Sequence, residues 1–477
     1  MQETLKANLT TAEAQYNKMV NTSVGKLISK LAIPTVISML ITSVYNLADT
    51  YFVSQISKQS SAAVGIVFPI MSIIQAFGFT LGMGSGSLIS IKLGQKKNQE
   101  ASMISSTAFF AAILTGLLIT IFGNLFSSSI MIGAGATDEI LEQSNLYGKF
   151  IFWGAPFMCA SFVLNNDLRA EGKAFFSMIA LTSGGLLNII LDPIFIFDKI
   201  DLKLFTLHGI NLGITGAALA TFISQIVSFS ILFSFYLRKK SVCVISIKNI
   251  SKKIVDLGKI LTTGLPSFAR QGLGSFSAIL LNNAAKTYGD VDAIAAMTIV
   301  TKICMFVASI MIGIGQGFSP VSGYNYGAKR YDRVKQAYKF LVLSEMCIMS
   351  LFAIPGFIFA KQIISVFRDD PGVISVGIVA LRWQIAFLPL HAVIVGTNML
   401  MQSTKHVKQA AYLSMNRQGI YFIPAILILP PLLGITGVEI SQFVADVLST
   451  ITAIPFLIWF LKKLDIMERE EKQGSNS

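Results

Sequence analysis

Three side chains with acid or amide groups lie inside long apolar segments, where such groups are rare. Asp49 follows the residues Tyr-Asn-Leu-Ala at 45–48, and Asn188 precedes Asp192 by four residues in Asn-Ile-Ile-Leu-Asp-Pro. A spacing of four places Asn188 and Asp192 on one face of a helix, one turn apart. Two carboxylates and an amide in apolar surroundings could bind a monovalent cation or share a proton, because burial and mutual repulsion disfavour two free negative charges.

Pro193 supports this interpretation, because a proline interrupts the helical hydrogen bonds and leaves a backbone carbonyl group available nearby. Ionisable side chains inside a membrane are costly, and each one is a candidate functional residue. Very few acidic residues meet this criterion, and Asp49 and Asp192 are the two that we select. A structural alternative stays open, in which Asp192 caps the outer end of its helix and Asp49 lies at another helix terminus.

The apolar segments that carry these residues are predicted to span a membrane. The chain has 477 residues, of which 53% are hydrophobic and only 13% are charged. Apolar stretches of about 20 residues, the length of a helical membrane span, recur along nearly all of it. Because the bilayer core contains no water, each span must satisfy its own backbone, and these segments are too long and too uniformly apolar for barrel strands. We therefore predict an all-α polytopic membrane protein with twelve transmembrane helices in two pseudo-symmetric six-helix lobes.

The twelve predicted spans define the domain organisation. They lie at 27–54, 61–85, 103–127, 143–166, 174–197, 212–237, 257–284, 292–317, 337–360, 375–400, 408–430 and 434–461. The predicted domains are a cytoplasmic N-terminal segment at 1–26, an N-lobe at 27–237 with helices 1–6 and the cation site, a cytoplasmic linker at 238–256, a C-lobe at 257–461 with helices 7–12, and a cytoplasmic tail at 462–477.

The distribution of Lys and Arg predicts the orientation of the spans. Most basic residues lie in the even-numbered connections and near the two termini, whereas the odd-numbered connections hold Lys58, Lys199, Lys203, Lys286, Lys361 and Arg368. The excess of basic residues belongs to the cytoplasm, so both termini are expected there, in a bacterial plasma membrane. The net charge of +13 follows from these helix ends and does not indicate a nucleic-acid partner. Residues 1–26 contain no secretory signal, so we expect the first span to direct insertion.

The two halves of the chain resemble each other. Ile-Pro-Thr at 33–35 aligns with Leu-Pro-Ser at 265–267, and the pentapeptide Leu-Gly-Ile-Thr-Gly occurs at 212–216 and again at 433–437. Six-span halves repeated in the same orientation predict a pseudo-two-fold axis along the membrane normal and a central cavity. This duplication is typical of a secondary transporter.

The repeat also suggests that ion binding belongs to one half. At the offset that aligns the two prolines, the candidate residues Asp49, Asn188 and Asp192 correspond to Leu281, Ile420 and Pro424. If the acids were needed only for folding, the second half should need them as well. We therefore expect the ion chemistry in the first lobe.

Other residues are weaker candidates. Seven side chains are candidates for contact with a substrate: Asn46, Asn166, Met158, Met178, Arg270, Gln271 and Met305. Pro34, near the inner end of the first span, is a candidate hinge because proline removes a backbone hydrogen bond where a helix can bend. The alternative is that Pro34 merely starts the helix, as its counterpart Pro266 in the other half would.

Several motifs together resemble the multidrug and toxic compound extrusion (MATE) family, and within it the MepA-like branch of bacterial multidrug exporters. They are spread over residues 20–465 and comprise Asn46–Val53, Leu168–Gly172, Asn188–Pro193, Gly216–Thr221 and Gly323–Ala328. The resemblance implies two lobes with alternating access and a cation site in the N-lobe. By motif, that site consists of Asp49, Asn188, Asp192 and Thr221, which would bind a proton or Na⁺. Some family members carry further acids on helices seven and ten, but spans 7 and 10 here contain none.

The resemblance therefore implies a secondary active antiporter that exports small cationic or amphipathic organic compounds in exchange for H⁺ or Na⁺. We expect a monomer in the lipid bilayer, with no cofactor besides the coupling ion and no enzymatic activity, since the chain contains no recognisable catalytic or ATP-binding motif. An alternative is a lipid-linked saccharide flippase of related architecture, which should have a more cationic cavity. The candidates for such a cavity are Arg270, Lys302, Arg382 and Arg417.

Overall fold

Helices make up nearly all of the protein in a computed structural model that describes residues 2–202 and 205–474. The first half contains α1 (Gln2–Asn21), α2 (Val24–Ser54), α3 (Lys58–Gly94), α4 (Asn98–Leu125), α5 (Ser127–Gly133), α6 (Asp138–Ala170), α7 (Ala174–Ile196) and α8 (Gly213–Leu237). Between α7 and α8, β1 (Lys199–Leu202) pairs antiparallel with β2 (Phe205–His208). This short hairpin, the only strand pairing in the described part of the chain, was not predicted from the sequence.

The second half repeats the helical pattern with more interruptions. It contains α9 (Ile254–Tyr288), α10 (Val291–Gly327), α11 (Tyr331–Ile358), α12 (Ala360–Phe367), α13 (Pro371–Ala386), α14 (Leu388–Ser403), α15 (Val407–Met415), α16 (Phe422–Leu433) and α17 (Ile435–Gly474). A 3₁₀ turn at Ile247–Asn249 precedes α9, and a π-helical segment at Asn416–Ile420 joins α15 to α16.

The helices account for the twelve predicted spans. Within the described residues, nine helices are long and apolar enough to cross a membrane, and the pair α13 and α14, bent by 51°, makes a tenth. The remaining two spans are α9 and the broken segment from α15 to α16. The fold class predicted from the sequence is thereby confirmed, although spans 10 and 11 are bent or broken where we had predicted continuous helices.

The chain forms two compact units. The first includes Ile37–Ile89 and Lys97–Gly264 together with the beginning of α1, and the second includes Glu13–Val36, Ser90–Lys96 and the chain from Leu265 onwards. The division passes through α1, α2, α3 and α9, so part of each of these helices packs in each unit. The units therefore do not coincide with the two halves of the sequence.

Small residues allow the helices of the first unit to approach closely. On α4, Gly116 faces α6 so tightly that a Cβ atom added there would lie 2.3 Å from the Pro156 Cα atom. Further along the same helix, large apolar side chains such as Leu118 and Ile121 are exposed. Close packing through glycine and apolar side chains on the outside are both typical of helices in lipid, where association depends on van der Waals contact.

The linker between the halves is fixed to the first unit by one buried carboxylate. Glu171 accepts hydrogen bonds from the Ser241 hydroxyl at 2.5 Å and from the backbone amides of Val242 and Cys243 at 2.7 and 2.8 Å. The Lys173 Nζ atom lies 3.2 Å from the same carboxylate. Burial, together with the nearby negative charges of Glu171 and Asp167, raises the pKa of the Cys243 thiol well above its usual value. Cys243 is therefore a packing residue of the linker.

The glycine contact between α4 and α6 generates a prediction. Gly116→Ala should destabilise the protein by about 1–3 kcal/mol, because the new methyl group overlaps the backbone of α6. The matched control is Gly65→Ala on α3, where nothing lies within 4 Å of the added atom. Thermal unfolding in detergent should show a lower midpoint for Gly116→Ala alone. Equal midpoints for the two variants would contradict the close approach of the two helices.

Candidate cation site

Three helices of the first unit bring the predicted cation-binding residues together. Asp49 comes from α2, Asn188 and Asp192 come from α7, and Thr221 comes from α8. Asn188, Asp192 and Thr221 are buried, whereas Asp49 is half-buried. Asn188 and Asp192 on α7 lie close to Thr221 on α8 because these two consecutive helices pack directly against each other. Their polar side chains meet in an otherwise apolar interior.

The amide of Asn188 holds the cluster together. Its Nδ2 atom donates to Asp192 Oδ1 at 3.2 Å, one turn along the same helix. The same atom lies 3.3 Å from Thr221 Oγ1 on α8. Since Asn188 uses its donor group for these contacts, its carbonyl oxygen remains available as an acceptor. The structure thus places Asn188, Asp192 and Thr221 in one cluster.

Tyr147 on α6 connects this cluster to Asp49. Its hydroxyl group donates to Asp49 Oδ2 at 3.4 Å. It also lies within electrostatic reach of Asp192 and hydrogen-bonding reach of Thr221. We did not predict this residue, because a tyrosine in an apolar span looks like a packing residue and carries no charge that would single it out. Tyr147 reaches Asp49 and the cluster only because α6 packs close to α2 and α7.

The acceptor oxygens in the cluster outnumber the donors. Asp49 Oδ1, Asn188 Oδ1 and Asp192 Oδ2 are all buried without a hydrogen-bond partner. Among the described residues, neither carboxylate forms an ion pair with a Lys, Arg or His. Burying an unpaired charge is costly, and buried charges are normally paired or bound to a metal ion. Three unpaired hard oxygen atoms suit a small cation or a proton, and carboxylate, amide and hydroxyl oxygens are suitable ligands for Na⁺.

A small cavity opens beside Asp49. Its polar wall comes from α2 and α6, and its apolar wall comes from α3; the lining residues are Asn46, Asp49, Thr50, Val64, Val67, Phe68, Met71 and Tyr147. Asn46, a predicted substrate contact, therefore lies in the same wall as Asp49. The same carboxylate thus belongs to the cation cluster and to the surface of the cavity.

The other predicted substrate contacts in the first unit lie elsewhere. Asn166 is buried near the end of α6, where its Nδ2 atom donates to the Phe162 carbonyl at 2.6 Å and its Oδ1 atom accepts from Arg169 at 2.8 Å. Met158 is buried within α6, and Met178 is half-buried on α7. None of these three side chains lines the cavity beside Asp49, so nothing in its geometry connects them with the cation cluster.

The remaining predicted contacts belong to the second unit. Arg270 and Gln271 are half-buried on α9, whereas Met305 on α10 is 66% exposed. A methionine with that exposure on a spanning helix is in the position of a lipid-facing side chain.

Pro34 lies inside α2 and not in its first turn. The helix begins at Val24, ten residues earlier, and Pro266 is likewise internal to α9, which begins at Ile254. The division between the two compact units crosses α2 between Val36 and Ile37, directly after this proline. Neither proline therefore merely starts its helix, and both interrupt a hydrogen-bond ladder where the helix passes from one unit to the other.

The sequence search overlooked several buried acids. Asp167 lies at the end of α6 and accepts hydrogen bonds from Ser85 and Ser105, both at 2.6 Å. Glu345 on α11 is fully buried, and Glu439 and Asp446 on α17 are nearly so. Three of these four lie inside predicted spans. Our selection of Asp49 and Asp192 as the acids within the membrane was therefore incomplete, although the second half does lack acids at the matching positions.

Comparison with known proteins decides the family. The model of the MatE family matches this chain twice, at residues 34–194 and 266–427. The chain belongs to the MatE family. Two matches to one model also confirm that the two halves of this MatE protein are related in sequence, as the aligned Ile-Pro-Thr and Leu-Pro-Ser motifs predict.

Relatives and solved structures agree with this assignment. The multidrug export protein MepA of Staphylococcus aureus (strain N315) is 27% identical over 452 residues, which cover 94% of this chain and 97% of MepA. A solved structure of MATE in the straight conformation has a TM-score of 0.86 at 27% identity and covers 95% of this chain and 98% of its own. A structure of MATE in the bent conformation has a TM-score of 0.87 at 26% identity, with 95% and 99% covered. The predicted MATE membership is confirmed.

The contact between Tyr147 and Asp49 generates a prediction. Tyr147→Phe removes one hydrogen bond to a carboxylate, worth about 1 kcal/mol, and should change the ion concentration for half-maximal transport by about fivefold. The matched control is Ser144→Ala, one turn earlier on α6, where the hydroxyl group has no partner. Transport by the two variants in liposomes, measured over a range of pH and Na⁺ concentration, checks this. An unchanged ion dependence in Tyr147→Phe would remove Tyr147 from the site.

Proposed function

We propose that this MatE protein is a secondary active antiporter that exports small organic compounds from the bacterial cytoplasm in exchange for H⁺ or Na⁺. The observation that carries the proposal is the set of three buried, unpartnered oxygens on Asp49, Asn188 and Asp192. An exporter driven by an ion gradient needs a site that binds a cation reversibly, and a buried carboxylate pair without a counter-ion in the chain is such a site. The basic residues near both termini support their location in the cytoplasm.

The side chains around the small cavity beside Asp49 have the chemistry expected for cationic, amphipathic substrates, which would need the cavity to widen from its present size of about one water molecule. Its wall combines Val64, Val67, Phe68 and Met71 with the amide of Asn46 and the carboxylate of Asp49. Apolar side chains, methionine among them, adapt to ligands of different shape, whereas a single carboxylate selects for positive charge. The similarity to proteins named for multidrug export agrees with this chemistry. It also disfavours the flippase alternative.

Exchange follows if Asp49 serves both ligands in turn. A coupling cation on Asp49 and Asp192 neutralises the carboxylate that would attract a cationic substrate into the cavity. A ligand shifts a conformational equilibrium only through its different affinity for the two states. The coupling cation and the substrate therefore compete for one carboxylate. This competition couples transport of the ion to transport of the substrate without any direct contact between the two.

The nature of the coupling ion can be decided in proteoliposomes. Efflux of a fluorescent organic cation is measured while a pH gradient and a Na⁺ gradient are imposed separately, each with the membrane potential clamped to zero. One of the two gradients should accelerate transport strongly. Equal rates with and without both gradients would contradict secondary antiport.

Asp49→Asn tests the central residue. The amide keeps the volume of the side chain but can neither release a proton nor attract Na⁺, so efflux should fall to the level of protein-free liposomes. The matched control is Leu281→Ala, at the corresponding position of the second half, which should leave the ion dependence unchanged. Full efflux by a normally folded Asp49→Asn protein would exclude the role given to Asp49.

Pro34 is proposed as the hinge by which α2 responds to cation binding. Neutralising Asp49 changes its interaction with the face of α7 that carries Asn188 and Asp192, and the missing backbone hydrogen bond at Pro34 allows the helix to bend. The straight and bent conformations of solved relatives agree with such a movement.

Pro34→Ala should therefore slow turnover more than Pro266→Ala does, with cation binding to the purified protein retained. Initial efflux rates and equilibrium ion binding, measured on the same preparations, separate the two effects. Equal turnover in both variants would leave Pro34 as a shared feature of the two halves.

A further inference from the structure

The linker between the two halves lies along α4 and does not extend away from the helices. The Ser102 hydroxyl oxygen accepts a hydrogen bond from the Val244 amide at 3.1 Å. Ser106 Oγ donates to the Val244 carbonyl at 3.1 Å. Further along the linker, the Ser251 amide donates to Thr107 Oγ1 at 2.9 Å. Together with the buried carboxylate at the end of α6, these contacts fix the linker backbone to the first unit.

The contacts with α4 place the linker at the height where this helix enters the membrane. At about 1.5 Å per residue, Thr107 lies about 14 Å along the helix axis from Asn98, the first residue of α4. The span predicted for this helix begins earlier, at residue 103. The exposed large apolar side chains of α4 begin only at Leu114. The linker therefore covers part of α4 at the level expected for the lipid headgroups and the adjoining ends of the acyl chains.

The outer side of the linker presents large apolar side chains. Ile247, in the 3₁₀ turn, is 73% exposed, and Ile254, the first residue of α9, is 83% exposed. Ser246 caps the turn by accepting a hydrogen bond from the Lys248 amide at 3.3 Å, so the segment that carries Ile247 has an ordered backbone. Exposed apolar side chains surrounded by polar residues mark sites of interaction with membranes or other proteins.

Exposed basic side chains accompany these apolar ones. Lys248 lies in the 3₁₀ turn, and Lys252 and Lys253 lie directly before α9. All three are exposed, and none forms an ion pair with another described residue. The one acid of the linker, Asp256, is paired with Lys259 at 2.9 Å. The linker therefore carries three exposed positive charges without an acidic partner.

We propose that the segment 247–254, here called the linker surface, is a docking site for anionic phospholipids of the cytoplasmic leaflet. The lipid phosphate groups would contact the three lysines, and the upper parts of the acyl chains would contact the two isoleucines. Basic clusters beside a spanning helix, together with exposed apolar side chains, are typical of segments that bind acidic lipids. A soluble anion would satisfy the charges but leave the isoleucines in water. The inference goes beyond the proposed export function and does not depend on the coupling ion or the exported compound.

Thermal unfolding of the full chain, purified in a neutral detergent, tests the lipid preference. Phosphatidylglycerol or phosphatidylcholine is titrated into the protein, and the unfolding midpoint is recorded at each lipid concentration. A ligand that binds only the folded protein raises this midpoint. Phosphatidylglycerol should raise it more than phosphatidylcholine does, and added NaCl should reduce the difference because salt screens exposed charges. Equal shifts by the two lipids would overturn the proposal.

The triple variant Lys248→Gln, Lys252→Gln, Lys253→Gln tests the location of the site. Each of the three lysines attracts an acidic lipid, so the phosphatidylglycerol concentration for half-maximal stabilisation should rise about tenfold or more. Should the triple variant not fold, Lys248→Gln alone provides the measurement, with an expected rise of about threefold. An unchanged concentration would exclude the linker surface.

The matched control removes the same charge from exposed positions in the odd-numbered connections. It is the triple variant Lys58→Gln, Lys286→Gln, Lys361→Gln. The half-maximal phosphatidylglycerol concentration should change by less than about twofold in this control. A rise equal to that of the linker variant would show a general effect of net charge and overturn the proposal.

Two further measurements separate a lipid from a free anion. Ile247→Ser keeps the charge but removes apolar contact, so the half-maximal phosphatidylglycerol concentration should rise about fivefold. Inorganic phosphate, titrated over the same concentrations, should leave the unfolding midpoint of the wild type unchanged. Stabilisation by phosphate equal to that by phosphatidylglycerol, or an unaltered lipid response in Ile247→Ser, would contradict the assignment to a lipid.

Discussion

A carboxylate inside a membrane needs a proton or a positive charge, and the proposed mechanism depends on where that charge comes from. In the first unit the chain does not supply it. Asp49, Asn188 and Asp192 each keep a buried oxygen without a partner, and the nearest polar neighbour, Tyr147, offers only a neutral hydroxyl group. In the proposed mechanism this charge comes from an ion in solution, and the conformation of these helices depends on that ion. Since Asp49 also lines a small cavity with an apolar wall, the proposed mechanism has the ion and an organic cation compete for the same carboxylate.

In the second unit one buried carboxylate, Asp446, has a basic partner within the chain, whereas Glu345 on α11 is buried with neither carboxylate oxygen hydrogen-bonded. Arg417 Nε lies 2.7 Å from Asp446 Oδ1, so this carboxylate is paired with a basic side chain of the chain itself. The two clusters therefore differ: the Asp49–Asp192 cluster has no basic partner among the described residues, whereas Asp446 has one in Arg417.

Features that repeat along one helix or along the whole chain could be predicted from the sequence alone. Apolar length predicted the spans, the two Pro-centred motifs predicted the duplication, and the four-residue spacing placed Asn188 beside Asp192. Features that depend on which faces of two helices meet were not predictable. Tyr147 looked like packing because its role comes from the approach of α6 to α2, and Asn166 turned out to bind Arg169 at the other end of α6. Arg417 and Asp446 are on different helices, and only the packing of α17 against the π-helical segment brings them together. The break at Asn416–Ile420 and the hairpin after α7 left no periodic signal that we could have used.

Equilibrium cation binding to the purified protein tests the proposed role of Asp49 and Asp192 most directly. Calorimetry follows Na⁺ binding, and a pH electrode in weakly buffered solution follows proton uptake. We expect the wild type to bind a monovalent cation and the double variant Asp49→Asn, Asp192→Asn to bind none. The control, Asp446→Asn combined with Arg417→Gln, should bind as the wild type does. Undiminished binding of Na⁺ or protons by a folded protein that lacks both Asp49 and Asp192 would contradict the account.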